Sequence, residues 1–164
     1  MKITKEAALA YHDSGRPGKT EVKPYEAFRY TDKGNHRGRD MHKVIISLAS
    51  NSNQVENLHQ AQLCLEQILS SCRYTDAIWT KPFVSGNAEV RGDRMYLNQL
   101  CYAQTRLSPS RLEGLLKAIE QQLGRTADAR RQGIVTIDLD LLLYDTERHH
   151  HSDWERPYIQ RLLS

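Results

Sequence analysis

Asp138 and Asp140 stand two residues apart in the run TIDLDLLLYD at positions 136–145. On a strand, residues two apart share a face, with Cα atoms roughly 7 Å apart. Carboxylates so placed can hold two divalent cations roughly 4 Å apart, as phosphoryl-transfer sites do. They repel one another, and a cation bound between them relieves that repulsion. Asp is disfavoured in strands, so two inside an apolar run need a reason; the alternative is an edge strand with two solvated aspartates. The alternation predicts Ile137, Leu139, Leu141 and Leu143 on a core-facing side, with Thr136, Asp138, Asp140, Leu142 and Tyr144 opposite.

Upstream, residues 125–133 carry Arg125, Arg130 and Arg131. Arginines beside a carboxylate-held cation pair suit a polyphosphate: the cations bridge phosphate oxygens and the guanidinium groups offset developing charge. A solvated basic loop is the plainer reading. The chain has no G-x-x-x-x-G-K-[ST] loop, and no Ser/His/Asp or Cys/His arrangement stands out.

The elements that must position these residues follow in order. Val44, Ile45, Ile46 and Leu48 predict a first strand, and Ala49-Ser50-Asn51 a turn. Asn53 with Glu56 suggests a capping box. Leu58, Ala61, Leu65, Ile68, Leu69 and Cys72 then fall at helical spacing. A second strand is expected near residues 77–80, then a loop over 82–95 long enough to be a lid, then a third strand over 96–105. Ser108 and Pro109 open a second helix whose apolar stripe is Leu112, Leu115, Leu116, Ile119 and Leu123, and Gly124 stops it. The aspartate strand comes last. Strand, helix, strand, strand, helix, strand predicts an α+β fold: a ferredoxin-like (split βαβ) antiparallel sheet with helices packed on one face. The aspartates would look out from the open face.

With 164 residues, one domain is expected. No apolar run approaches the roughly 20 residues that span a bilayer, and the polar N-terminus lacks an apolar signal core, so a cytoplasmic location and no membrane partner are expected. Cys64, Cys72 and Cys101 have no C-x-x-C spacing and read as reduced thiols. The net charge is +3, but residues 1–41 hold nine Lys or Arg against six acids, and the rest is balanced at fourteen of each. A neutral body argues against a nucleic-acid partner. Residues 1–40 lack helical or strand period beyond a short helix near 4–12 and read as a poorly ordered or peripheral extension; residues 41–164 form the folded domain.

Two resemblances add to this. Residues 2–24 look like the opening segment of bacterial malic enzymes, but the resemblance stops before that family's catalytic residues, so no activity is carried over. Ile119-Glu120, Gly124-Arg125, Gly133 and Thr136-Ile137-Asp138-Leu139-Asp140 resemble the signature of 6-hydroxymethyl-7,8-dihydropterin pyrophosphokinases. Ala49-Ser50-Asn51, Thr80-Lys81-Pro82, Tyr96-Leu97-Asn98, His150 and Arg156-Pro157-Tyr158 follow that family's order, over residues 41–163. The resemblance implies pyrophosphate transfer from ATP to 6-hydroxymethyl-7,8-dihydropterin, giving AMP and the pterin diphosphate of folate biosynthesis, in a monomer. It implies two Mg²⁺ held by Asp138 and Asp140, with Arg125 as a further catalytic group. ATP would meet Glu120, Arg125, Arg131, Leu141, His150 and Arg156. The pterin would meet Thr80, Pro82, Tyr96, Asn98 and Tyr158.

Val135 stands where that family has a phosphate arginine, Gln132 where it has a tryptophan, and Ala49 where it has a glycine. A degenerate, non-catalytic member that binds nucleotide or pterin is therefore the alternative. On residue type alone, Tyr96 and Tyr158 also fit core aromatics, Asn98 a strand-end cap, and His149–His151 a solvated turn. An RNA-binding module is the third reading; it lacks the paired surface aromatics and basic sheet such modules use.

Overall fold

The computed structural model describes residues 41–82 and 94–164. Residues 1–40, and most of the 82–95 segment expected as a lid, lie outside the described residues. The chain runs β1 (His42–Ser50), α1 (Gln54–Ile68), β2 (Ser70–Tyr74), β3 (Ile78–Thr80), β4 (Tyr96–Thr105), α2 (Pro109–Gln122), α3 (Ala127–Arg131), β5 (Asp138–Tyr144), β6 (Glu147–Arg148), α4 (His151–Trp154) and α5 (Pro157–Leu163). The six strands form one open sheet in the order β2-β4-β1-β5-β6, with β3 pairing beside β2 on the outer edge of β4. Every pairing is antiparallel.

β1 and β4 are central because they are apolar on both sides. Val44, Ile46 and Leu48 meet Leu97 and Cys101 on one face, under Leu58, Ala61 and Leu65 of α1 and Leu112, Leu116 and Ile119 of α2. Ile45 and Leu100 point the other way, into a second core with Trp154 of α4 and Ile159 and Leu162 of α5. Helices therefore pack on both faces, which corrects the one-face expectation. Residues 151–163 are too short and too polar to read as core helices alone; their few apolar side chains are buried only because the sheet offers Ile45, Leu100 and Leu142 beneath them.

The alternation on β5 holds through Leu141 and then changes phase. Ile45 pairs with Leu143 but Ile46 pairs with Leu141, so Leu142 is an extra residue, a bulge. Leu142 and Leu143 consequently join the second core and Tyr144 the first. This reverses the predicted sides of Leu143 and Tyr144 while leaving Asp138 and Asp140 together.

Other expectations shift locally. α1 ends at Ile68, and Cys72 lies on β2, a strand the helical spacing concealed; Leu69 is already extended, and Ser71, at φ 55°, falls at the register shift of β2 between Ser70 and Arg73. Asn53 occupies the N-cap position in a left-handed conformation and makes no side-chain cap bond, so the capping box is not formed. Ser108 does cap α2, accepting from the Arg111 N–H, with Pro109 behind it, and Gly124 ends it at φ 101°, a conformation glycine adopts freely. The basic loop contains the short helix α3, capped by Thr126. Cys64, Cys72 and Cys101 are free thiols.

Candidate active site

The site lies at one end of the central strands. Asp138 and Asp140 project from β5 on the side opposite Leu139 and Leu141, which are fully buried beneath α2. A cavity of about 100 Å³ opens there, lined by Asp138, Asp140, Asn98, Asp153, Arg156 and Tyr158 together with the β1 backbone around Ala49. Four elements deliver these side chains. The aspartates come from β5 and Asn98 from the face of β4 that also carries Leu100. Asp153 comes from α4, and Tyr158 rides on α5, anchored by Ile159 and Leu162.

Both aspartates are engaged. Arg125 donates to Asp138 at 2.6 Å and lies 3.2 Å from Glu120. Lys117 lies 3.6 Å from Asp140 and 3.1 Å from Glu120. His150, held at φ 51°, brings Nε2 to 3.8 Å from Asp140. Burial, and then the negative Asp138 beside it, push the Asp140 carboxyl above the ordinary aspartate range, against the pull of Lys117 and His150. Burial likewise pushes Glu120 up, opposed by the Leu139 N–H and by Lys117 and Arg125. For Lys117 burial opposes the charge, but Glu120, Asp140 and Asp138 together hold the ammonium above its usual range.

Asp140, His150 and Asp153 offer ligand atoms that all lie within 4.8 Å of one another. Two carboxylates and an imidazole, with Asp138 on the same face, fit a hard divalent cation. They fit it better than they fit the site without one, since burial disfavours the Asp140 anion.

The other half of the cavity is aromatic and amide. The Asn98 amide nitrogen donates to the Ile78 carbonyl at 3.2 Å and to Thr80 Oγ1 at 2.9 Å. Thr80 and Asn98 thus belong to one constellation, with the half-buried Pro82 two residues beyond. Burial raises the Tyr158 phenol, and Arg156 Nη1 donates to its oxygen at 3.4 Å. Burial, then Asp138, raises the Tyr96 phenol, against the opposing pull of Asn51, Arg125 and Arg156.

Two expected residues stand apart. Leu141 is fully buried in the helix-covered core. Arg131 is exposed and paired with Asp128 inside α3. The 125–135 segment is also not a free flap. Asn51 donates to the Gly133 carbonyl at 2.9 Å, accepts from the Val135 N–H at 2.7 Å, and gives its own N–H to the Val135 carbonyl at 2.9 Å. Sequence reasoning passed over Lys117 and Asp153. Lys117 sits three residues before Glu120, on the same helical face, which is the signal that could have found it.

Residues 45–164 match the family described as 7,8-dihydro-6-hydroxymethylpterin-pyrophosphokinase (HPPK). The chain belongs to this family. Among its relatives, an HPPK-family 2-amino-4-hydroxy-6-hydroxymethyldihydropteridine pyrophosphokinase of Haemophilus influenzae is 36% identical over 103 residues, 62% of each chain. A mitochondrial folate synthesis bifunctional protein of Pisum sativum is 32% identical over 131 residues, 74% of this chain and 24% of that protein. A folate synthesis bifunctional protein of Arabidopsis thaliana is 30% identical over 127 residues, 71% of this chain and 25% of that protein. The chain therefore spans about a quarter of these bifunctional proteins and under two thirds of the bacterial one. None of these matches carries the malic enzyme resemblance of residues 2–24, which fall outside the HPPK match. No helix among the described residues is long and apolar enough to cross a membrane.

Proposed function

We propose that the domain transfers the β,γ-pyrophosphoryl group of ATP to 6-hydroxymethyl-7,8-dihydropterin, releasing AMP and the pterin diphosphate. The observation that carries this reading is the shared cavity: the acidic pair and the Asn98–Tyr158 side line one space, so a phosphate chain and a planar heterocycle can meet there. Family membership supports it. The order β2-β4-β1-β5, with α1 after β1 and α2 after β4, supports a ferredoxin-like core.

Asp138 and Asp140 would hold two Mg²⁺, with His150 and Asp153 close by. Bound there, the ions supply charge neutralisation and orientation of the triphosphate oxygens. Arg156 at the cavity wall and Arg125 beside Asp138 add fixed positive charge for the polyphosphate, while His150 borders the nucleotide. Asn98 commits its amide nitrogen to Ile78 and Thr80, leaving its carbonyl oxygen to accept from a pterin N–H. Tyr158 and Tyr96 offer ring faces, and Pro82 closes the edge. The hydroxymethyl oxygen attacks the β-phosphorus in line and AMP leaves; positioning rather than a protein base supplies the rate.

The test is AMP formation from ATP, the reduced hydroxymethylpterin and Mg²⁺. The expected result is turnover in the wild type that falls at least about 100-fold in Asp138→Ala. Absence of wild-type turnover, or equal turnover in the variant, refutes the reading. One observation favours a second reading, a binding protein without turnover: Val135, standing where the family pattern has a phosphate arginine, offers no charge, and its N–H is consumed by Asn51. Calorimetric binding of ATP or pterin without AMP would select it.

A further inference from the structure

We propose that Glu120 is a positioning residue for the Asp138/Asp140 pair, with Lys117 as its second arm, and acts through the β5 backbone and two cations rather than by touching the nucleotide. The kinetic half of this proposal rests on the pyrophosphokinase reading; the metal-binding half does not.

Glu120 projects from α2 and is 3% exposed. A single oxygen, Oε1, accepts from the Leu139 N–H at 2.8 Å and from Lys117 Nζ at 3.1 Å, and the Arg125 guanidinium pairs with it at 3.2 Å. Leu139 is the residue between the two aspartates. The contact therefore ties β5 to α2 at the point that sets the separation of the pair. From the same oxygen the two cations lead outward, Arg125 to Asp138 at 2.6 Å and Lys117 to Asp140 at 3.6 Å. Lys117 also reaches the Leu139 carbonyl at 3.5 Å, so both polar groups of that peptide residue are held from one helix.

Five charges thus alternate in sign along Asp138, Arg125, Glu120, Lys117 and Asp140. Two carboxylates on one strand face repel, and nothing local fixes their rotamers. A buried anion between two cations does so, because each cation is drawn to the centre and to its own aspartate. A buried carboxylate lacking partners would be costly; with two donors and a paired guanidinium on one oxygen it becomes a fixed point. Groups that orient the ligands of a cation typically change its affinity about 10–100-fold when removed.

The experiment uses the full chain and two variants, Glu120→Gln and Lys117→Met. Mn²⁺ binding is titrated by calorimetry and by electron paramagnetic resonance, with and without a non-hydrolysable ATP analogue. AMP formation is followed as a function of Mg²⁺ at saturating ATP. Glu120→Gln is expected to weaken Mn²⁺ binding about 10-fold and Lys117→Met about 3-fold. Loss of AMP formation should be partly restored by excess Mg²⁺, and KM for ATP at saturating metal should stay near the wild-type value. Unchanged Mn²⁺ binding with a raised KM for ATP would overturn the proposal in favour of a nucleotide contact. Lowered Tm with intact metal binding and kinetics would overturn it in favour of a purely structural role. Should Glu120→Gln fail to fold, the half-exposed Lys117→Met decides alone. If the wild type binds Mn²⁺ but forms no AMP, the enzymatic reading fails and the metal titrations still decide this one.

Discussion

Asp140 concentrates the tension of the site in one residue. Its carboxyl is raised by burial and by Asp138. A carboxyl raised in the folded state adds stability that is present below its unfolded pKa and is lost as pH rises through the folded value. The metal-free domain should therefore lose stability upward from the ordinary carboxylate range near pH 4. Asp140→Asn removes that loss. Its metal-free Tm should exceed the wild type's at pH 7 and converge with it near pH 4, as read by thermal scans in chelator, while AMP formation falls about 100-fold or more. A variant less stable than wild type at pH 7 would contradict the origin of the shift. Asn51 makes a contrasting case: it reads as a turn residue, yet its side chain is the clasp of the 133–135 segment. Asn51→Ala strands the Val135 N–H and the Gly133 carbonyl, at a cost of about 1–3 kcal/mol in urea unfolding. Faster amide exchange at Val135 should accompany it.

Among the elements, α4 and α5 matter most for the site and were least visible beforehand. Trp154 is 7% exposed and packs over Ile45, Leu100 and Leu142, with its indole N–H given to the Leu142 and His149 carbonyls. Arg148 lies 4.4 Å over its ring. Trp154→Ala should cost about 3–5 kcal/mol by urea denaturation. Because Tyr158 and the Ile159 and Leu162 that anchor it share this core, it should also raise KM for the pterin more than KM for ATP. By comparison α2 was legible, since Ser108, Pro109, the leucine stripe and Gly124 each carry a local signal. α1 was legible to Ile68, but Cys72 kept the helical spacing and belongs to β2. Three-residue spacing on a short apolar stretch does not separate helix from strand; the β4 partner did.

For the whole domain, among the described residues both core clusters are built from residues at or after Val44, and the sequence of residues 1–40 carries no apolar period that would add to them. Removing residues 1–40 should therefore change Tm by no more than about 2 °C and leave AMP formation intact, as checked by thermal scans and turnover of the shortened chain. A drop several times larger would mean that the first forty residues pack on the domain.

The sequence by itself determined the α+β order and the strand that bears two carboxylates on one side, because these depend on spacing along one element. It could not determine that helices cover both faces, that a bulge at Leu142 reverses the last two residues of β5, or that Leu141 and Arg131 stay away from the cavity. Those follow from pairings between strands far apart in the chain. The same holds for Glu120: its type and helical position were readable, but two donors and a guanidinium converging on one oxygen from α2, β5 and the loop between them exist only once the sheet has closed against its helices.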